Sequence, residues 1–220
     1  DGFEPVYGIS RFIPVYGDDV LPEKPIEALR KGAGEDIDIL IGSNAEEMSL
    51  YFVPTGVRRK IPGLLAWWLL SRSHPQSRKV LKAYGLGRKG GRPGEAMTRA
   101  MSDLVFRWPV RQFAKAHRGR TWVYEMDWRS SACEGELGAC HGIELPFVFK
   151  TLESIRGPRG IAGEMPPSEL ADRIHDIWAN FAREGTLPWQ PADDDLPVYQ
   201  LAAGQTRIEP RMPAADYLPD

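Results

Sequence analysis

A histidine and a pair of neighbouring acids are the residues best suited to chemistry. His141 lies in Gly138–Phe149, GACHGIELPFVF, between small residues and directly before an apolar run. An imidazole acts as a general base when one ring nitrogen reaches a nucleophile and an acid orients the other. A loop between Gly138 and Gly142 would let the ring project into a cleft, and Leu145, Pro146, Phe147, Val148 and Phe149 are expected to anchor the next segment in the core. The candidate acids, Glu46 and Glu47, follow the β-branched run Ile37–Gly42, which reads as a buried strand ending at glycine. In an open α/β sheet the carboxyl ends of the strands are where ligands and catalytic groups gather. Two acids there equally suit a solvated helix start, and a lone histidine among glycines equally suits an ordinary loop.

Other patterns carry less. Cys133 and Cys140, the two cysteines of the chain, suit either a small closed loop or two free thiols. Together with His141 and Glu144 they form one local cluster, whereas zinc favours closely paired ligands from two segments. The Gly- and Arg-rich stretch 85–95, GLGRKGGRPGE, lacks both the Gly-Lys-Ser/Thr ending and the preceding strand of a phosphate loop. Acyl transfer also needs a nucleophile and an oxyanion hole. No serine stands in G-x-S-x-G, since Gly8-Ile9-Ser10 is followed by Arg11 and Phe12.

The frame for these groups is read from periodicity. Residues 1–36 are rich in Pro and Gly and are expected to be extended segments and turns. Pro62–Arg72 and Gln76–Tyr84 read as helices; the first is apolar almost all round, with Trp67 and Trp68 expected in the core or lining a gorge. Ala96–His117 has helical spacing with a break or kink expected after Trp108, because Pro109 has no N–H to donate. Thr121–Asp127 alternates and is aromatic and β-branched, so it reads as a strand leading to the histidine loop. Ser168–Glu184 is the clearest helix: Leu170, Ile174, Ile177, Trp178 and Phe181 form a stripe, Ser168 is a candidate cap and Gly185 a stop. His175 is expected at its surface. LPVYQL and QTRIE read as short strands near the end.

With 220 residues, 42% of them hydrophobic, the chain can bury one real core. Its 28 basic and 30 acidic residues give a formal charge of −2, so neither a nucleic-acid track nor an anionic membrane surface is an expected partner. No apolar run approaches the roughly 18 residues of a membrane span, and DGFEPVYGIS lacks the pattern of a secretory signal.

Several segments together resemble the type-B carboxylesterases, the family of cholinesterases and bacterial para-nitrobenzyl esterases. Gly138–Phe149 is similar to that family's histidine segment, G-A-x-H-x-x-E-L-P-F-V-F, matched at His141, Glu144, Leu145-Pro146 and Phe147-Val148-Phe149. Gly42–Met48, GSNAEEM, resembles G-T-N-x-D-E-G; Glu46 stands for the Asp, Glu47 falls on the catalytic Glu, and Met48 departs from the Gly. Asp103, Phe106 and Pro109 match D-x-x-F-x-x-P, with Asp103 taken as structural. Trp178, Phe181, Ala182, Gly185 and Pro188 match the helix that follows the histidine. Arg11–Gly32 resembles the approach to the sheet, with the family's Asp-Gly replaced by Gly17-Asp18.

The resemblance implies an α/β fold: residues 1–220 as the carboxyl-terminal part of one α/β-hydrolase domain, a mostly parallel sheet flanked by helices. The amino-terminal part, with the nucleophile elbow, would lie elsewhere. It implies a Ser-Glu-His esterase in which Glu47 and His141 are acid and base, a small ester is the substrate, the missing part of the enzyme is the partner, and no cofactor or metal is used. The alternative is a cholinesterase-like binding module that has lost catalysis. Trp67, Trp68, Phe106 and Trp108 are candidate gorge residues or core.

Overall fold

A computed structural model describes residues 15–72, 74–208 and 211–218. Gly8–Ser10 and the start of the segment expected to approach the sheet lie outside them. The elements run α1 (Pro25–Arg30), β1 (Ile39–Asn44), α2 (Ser49–Phe52), α3 (Val57–Lys60), α4 (Gly63–Ser71), α5 (Ser77–Ala83), α6 (Pro93–Ser102), α7 (Trp108–Ala116), β2 (Thr121–Met126), α8 (Leu145–Val148), α9 (Ser168–Glu184), β3 (Val198–Gln200) and β4 (Gln205–Arg207).

The strands form one sheet in the order β1-β2-β3-β4. The pairs β1–β2 and β2–β3 are parallel, and only β3–β4 is antiparallel. Alternation on β2 explains its composition. Trp122 and Met126 enter a core with Phe147, Ile143 and Ile174, while Val123 packs with Ala114 and Val198 in another cluster. Covered on both faces, β2 is a central strand, which is why Trp122, Val123 and Met126 are all buried and Thr121 and Glu125 are buried with them. Gly42 pairs with Tyr124, and a Cβ at residue 42 would collide with that ring. A glycine in the strand therefore permits the aromatic beside it.

The stripe read on α9 is the one that packs: Leu170, Ile174 and Ile177 are buried, and Trp178 and Phe181 lie against the same core. Gly185 ends the helix at φ +63°. A further apolar cluster, including Leu70, Val80, Leu81, Met97 and Leu104, joins α4, α5 and α6.

Several local expectations change. Pro25–Arg30 is a helix and not extended, because a proline at the first position suits a helix start and Glu27, Ala28, Leu29 and Arg30 are good helix formers. Ser168 makes no side-chain cap; Pro167 holds the cap position. Pro109 does not divide its helix. A π-helical turn, Asp103–Arg107, passes directly into α7, and Pro109 lies just beyond this irregular turn, with the Trp108 N–H donating to the Asp103 carbonyl. Trp67 and Trp68 are 40% and 48% exposed, since α4 buries only Ala66 and Leu70. Of the run after His141, Pro146, Phe147 and Val148 are buried but Leu145 and Phe149 are exposed; a helical turn cannot send five consecutive side chains to one side.

Candidate active site

Parallel pairing sets the carboxyl ends of β1 and β2 side by side. Asn44 is in register with Met126, and the Ala45 N–H donates to the Met126 carbonyl at 3.0 Å. The chain leaving β1 turns at once through Glu46 and Glu47; the chain leaving β2 makes a loop and returns at Ala139–His141. Backbone bonds join the two passages: the Glu46 N–H donates to the Ala139 carbonyl at 2.9 Å and the His141 N–H to the Glu47 carbonyl at 3.2 Å.

The two expected site residues meet there. Oε2 of Glu47 lies 2.7 Å from Nδ1 of His141. Oε1 of Glu47 accepts from the Asn44 backbone N–H at 2.7 Å and from Asn44 Nδ2 at 3.3 Å. Asn44 Nδ2 also donates to Glu144 Oε2 at 2.6 Å, so the amide links two carboxylates. Burial raises the Glu47 pKa above the ordinary carboxylate value; the Asn44 N–H and the His141 bond oppose that, and the charge of Glu144 adds to it. The Glu47 side chain is 4% exposed and that of His141 42%, so the acid is sealed and the base is open.

An ionised carboxylate can only accept, which assigns the proton to Nδ1 and leaves the Nε2 lone pair available. Among the described residues no hydrogen-bond partner sits on Nε2. The ring leans on Phe106, with centroids 5.0 Å apart, and on Tyr51, at 5.8 Å. This is the arrangement required of a base that takes a proton on one side while an acid steadies the other.

A buried charge network underlies the acid strand. Glu125 on β2 accepts from Arg107 Nε at 2.7 Å and Arg111 Nη2 at 3.1 Å, and Arg111 reaches Ser43 Oγ at 3.0 Å. Asp103, expected to be structural, accepts from Arg107 at 2.6 Å and from the Tyr84 hydroxyl. The loop before His141 is held from outside: Glu136 pairs with Arg58 at 2.7 Å and Arg59 at 2.6 Å, and these arginines, Arg59 foremost, hold its carboxyl down to about 2.

Other candidates separate from the pair. Met48 is fully buried, and its N–H donates to Ser102 Oγ at 3.0 Å. Trp108 lies partly buried against the helical cluster, leaving Phe106 as the proposed gorge residue that reaches the imidazole. Cys133 is exposed and Cys140 buried, both free, and no metal-binding group of His, Cys, Asp or Glu occurs among the described residues. His175 is half-buried and donates from Nδ1 to the Val148 carbonyl at 2.8 Å. A cavity of about 340 Å³ beside the acid turn is lined by Glu46, Ser49, Arg58, Tyr84 and Arg99 and does not include His141. Sequence reasoning missed Tyr51 and the linking role of Asn44. No local signal pointed to Tyr51, because its contact with His141 joins passages far apart along the chain.

Comparison with known proteins identifies the family. Residues 4–209 match the model of the carboxylesterase family. The para-nitrobenzyl esterase of Bacillus subtilis (strain 168) is 30% identical over 199 residues, covering 90% of this chain and 39% of that protein. The phenmedipham hydrolase of Pseudarthrobacter oxydans is 28% identical over 193 residues, covering 86% and 37%. Among solved structures, a PNB esterase superposes with a TM-score of 0.71 at 24% identity, over 91% of this chain and 42% of the other. A Geobacillus stearothermophilus carboxylesterase gives 0.67 at 26% identity, over 86% and 42%. These neighbours establish the α/β-hydrolase fold, and the chain spans well under half the length of the relatives it matches. With the parallel sheet, the motif order and the family match in agreement, the chain belongs to the carboxylesterase family.

Proposed function

We propose that this chain supplies the acid and base of a serine carboxylic-ester hydrolase, with the nucleophilic serine and oxyanion-hole donors on a further part of the same enzyme. The observation that carries the reading is the 2.7 Å contact between Glu47 and His141, buried at the acid and open at the base. In this reading residues 1–220 are the carboxyl-terminal part of one α/β-hydrolase domain. The 39% and 42% coverage of a relative and a solved neighbour supports a part of a longer domain, and the order of acid before histidine supports its carboxyl-terminal placement.

The serine oxygen attacks the ester carbonyl carbon while Nε2 of His141 takes its proton. Glu47 stabilises the imidazolium, which then returns the proton to the departing alcohol oxygen as the carbon–oxygen bond breaks. Water repeats the cycle on the acyl-enzyme: Nε2 removes its proton, the hydroxide adds, and the serine leaves reprotonated with the acid released. Phe106 and Tyr51 beside the ring favour a substrate with an apolar group near the scissile bond, consistent with the ester named for the Bacillus relative.

The test is ester turnover by the full-length enzyme carrying His141→Ala. Activity should be lost by several orders of magnitude, and undiminished hydrolysis would refute the assignment. The 220-residue chain alone should remain unlabelled by serine-directed fluorophosphonates.

A further inference from the structure

Two consecutive acids leave β1, and only the second touches the imidazole. The first, Glu46, is engaged elsewhere. Its Oε2 accepts from the Ala139 N–H at 3.0 Å, and its own N–H donates to the Ala139 carbonyl at 2.9 Å, so one residue is gripped through both of its backbone polar groups. The same carboxylate oxygen pairs with Arg129, whose other nitrogen donates to the Gly135 carbonyl at 3.2 Å. Gly138 has φ +63°, and a Cβ there would run into the Glu46 carboxylate, so glycine clears the seat.

We propose that Glu46 is a positioning residue for His141. Glu47 holds the ring, and Glu46 with Arg129 holds the backbone two residues ahead of it. The proposal rests on the reading of Glu47 and His141 as acid and base.

The loop closes on itself, the Ser130 N–H donating to the Gly138 carbonyl at 3.2 Å, and Glu46 is what ties the passage just after that closure to the end of β1. Cys133 and Glu134 both adopt left-handed backbone, at φ +53° and +60°, although neither is glycine. Conformations of this kind persist only where surrounding contacts impose them. Ala139 and Cys140 are wholly buried, so an Ala139 N–H deprived of the carboxylate is left without solvent to replace it. A half-exposed ion pair such as Arg129–Glu46 adds little by itself. Its value lies in aiming the carboxylate at Ala139, where a bond to a charged acceptor is stronger than one between neutral groups. A shift at Ala139 would carry the imidazole with it, because Cys140 alone separates Ala139 from His141 along the chain and the single His141 N–H bond to the Glu47 carbonyl, at 3.2 Å, would have to stretch or turn.

The experiment compares Glu46→Ala and Glu46→Gln with wild type and His141→Ala in the full-length enzyme, using para-nitrophenyl acetate. Glu46→Ala should lower kcat about 10–100-fold, the cost of misplacing a reacting group by about an ångström, with KM held within about threefold. Glu46→Gln keeps an oxygen for the Ala139 N–H and should recover kcat to within about fivefold of wild type. In the 220-residue chain, the far-downfield Nδ1 proton resonance of His141 should broaden or vanish in Glu46→Ala and persist in Glu46→Gln. The proposal is overturned if Glu46→Ala turns over within about twofold of wild type while His141→Ala is inactive. It is also overturned if Glu46→Gln is as impaired as Glu46→Ala despite a native far-ultraviolet circular dichroism spectrum. An active His141→Ala would instead remove the acid–base reading and this proposal with it.

Discussion

Replacing Glu47 by glutamine should abolish chemistry without costing stability. The side chain is 4% exposed and receives three contacts: the Asn44 N–H at 2.7 Å, Asn44 Nδ2 at 3.3 Å and His141 Nδ1 at 2.7 Å. A glutamine oxygen can keep the two Asn44 donors, which turns its NH2 toward His141. Nδ1 must then accept, and the ring proton moves to Nε2, the nitrogen that the proposed mechanism requires to be free for the proton of the serine. The wrong tautomer in a triad costs about 10⁴ in kcat, or about 5 kcal/mol of transition-state stabilisation. Stability follows a different sign. Burial raises the Glu47 pKa in the folded state, so its contribution to stability is complete below the unfolded value of 4.5 and is lost as pH rises through the higher folded value. At neutral pH the neutral amide should therefore leave the melting temperature unchanged or raised. Steady-state ester hydrolysis by the full-length enzyme, thermal melts at pH 5 and 7.5, and the ¹⁵N shifts of the His141 ring in this chain test the three consequences together. Glu47→Gln turning over within about tenfold of wild type, or carrying the wild-type tautomer, would refute the reasoning.

Truncating Phe147, wholly buried in the core behind the histidine loop, should cost about 3–5 kcal/mol in urea unfolding of Phe147→Ala. Glu125→Ala should cost a similar ~3–5 kcal/mol, because Arg107 and Arg111 lose the carboxylate that neutralises them in a buried site; a loss under about 1 kcal/mol would show that the network is dispensable. Thiol titration with Ellman's reagent at pH 8 should find one reactive group in the native chain, exposed Cys133, and two in denaturant. Burial pushes the Cys140 thiol up to about 12 and keeps reagent away from it.

The elements legible in the sequence are those in which local periodicity and burial agree. On α9 the same stripe that marks a helix is the stripe that packs, and on β2 aromatic and β-branched residues mark a strand. Where the two part company, reading fails. GLLAWWLLS is apolar nearly all round, yet among its residues only Ala66 and Leu70 are buried, with Leu69 partly covered, and Leu64, Leu65, Trp67 and Trp68 are exposed. The run after His141 looks uniformly suited to the core, but a helical turn exposes Leu145 and Phe149. Pro109 reads as a kink or break, and the structure answers it with a π-helical turn that keeps the helix running past it.

By itself the sequence singled out Glu47 and His141 as the candidate acid and base, because both stand in local motifs that resemble the carboxylesterase pattern in residue type and order. It also determined that a short strand precedes each of them, since β-branching and alternation are properties of neighbouring residues. Only the tertiary structure decided that acid and base touch, that Asn44 joins two carboxylates, and that Glu46 grips Ala139 while Glu47 grips the ring. These contacts join passages far apart along the chain, and their existence depends on the parallel register of Asn44 with Met126, which no local pattern encodes.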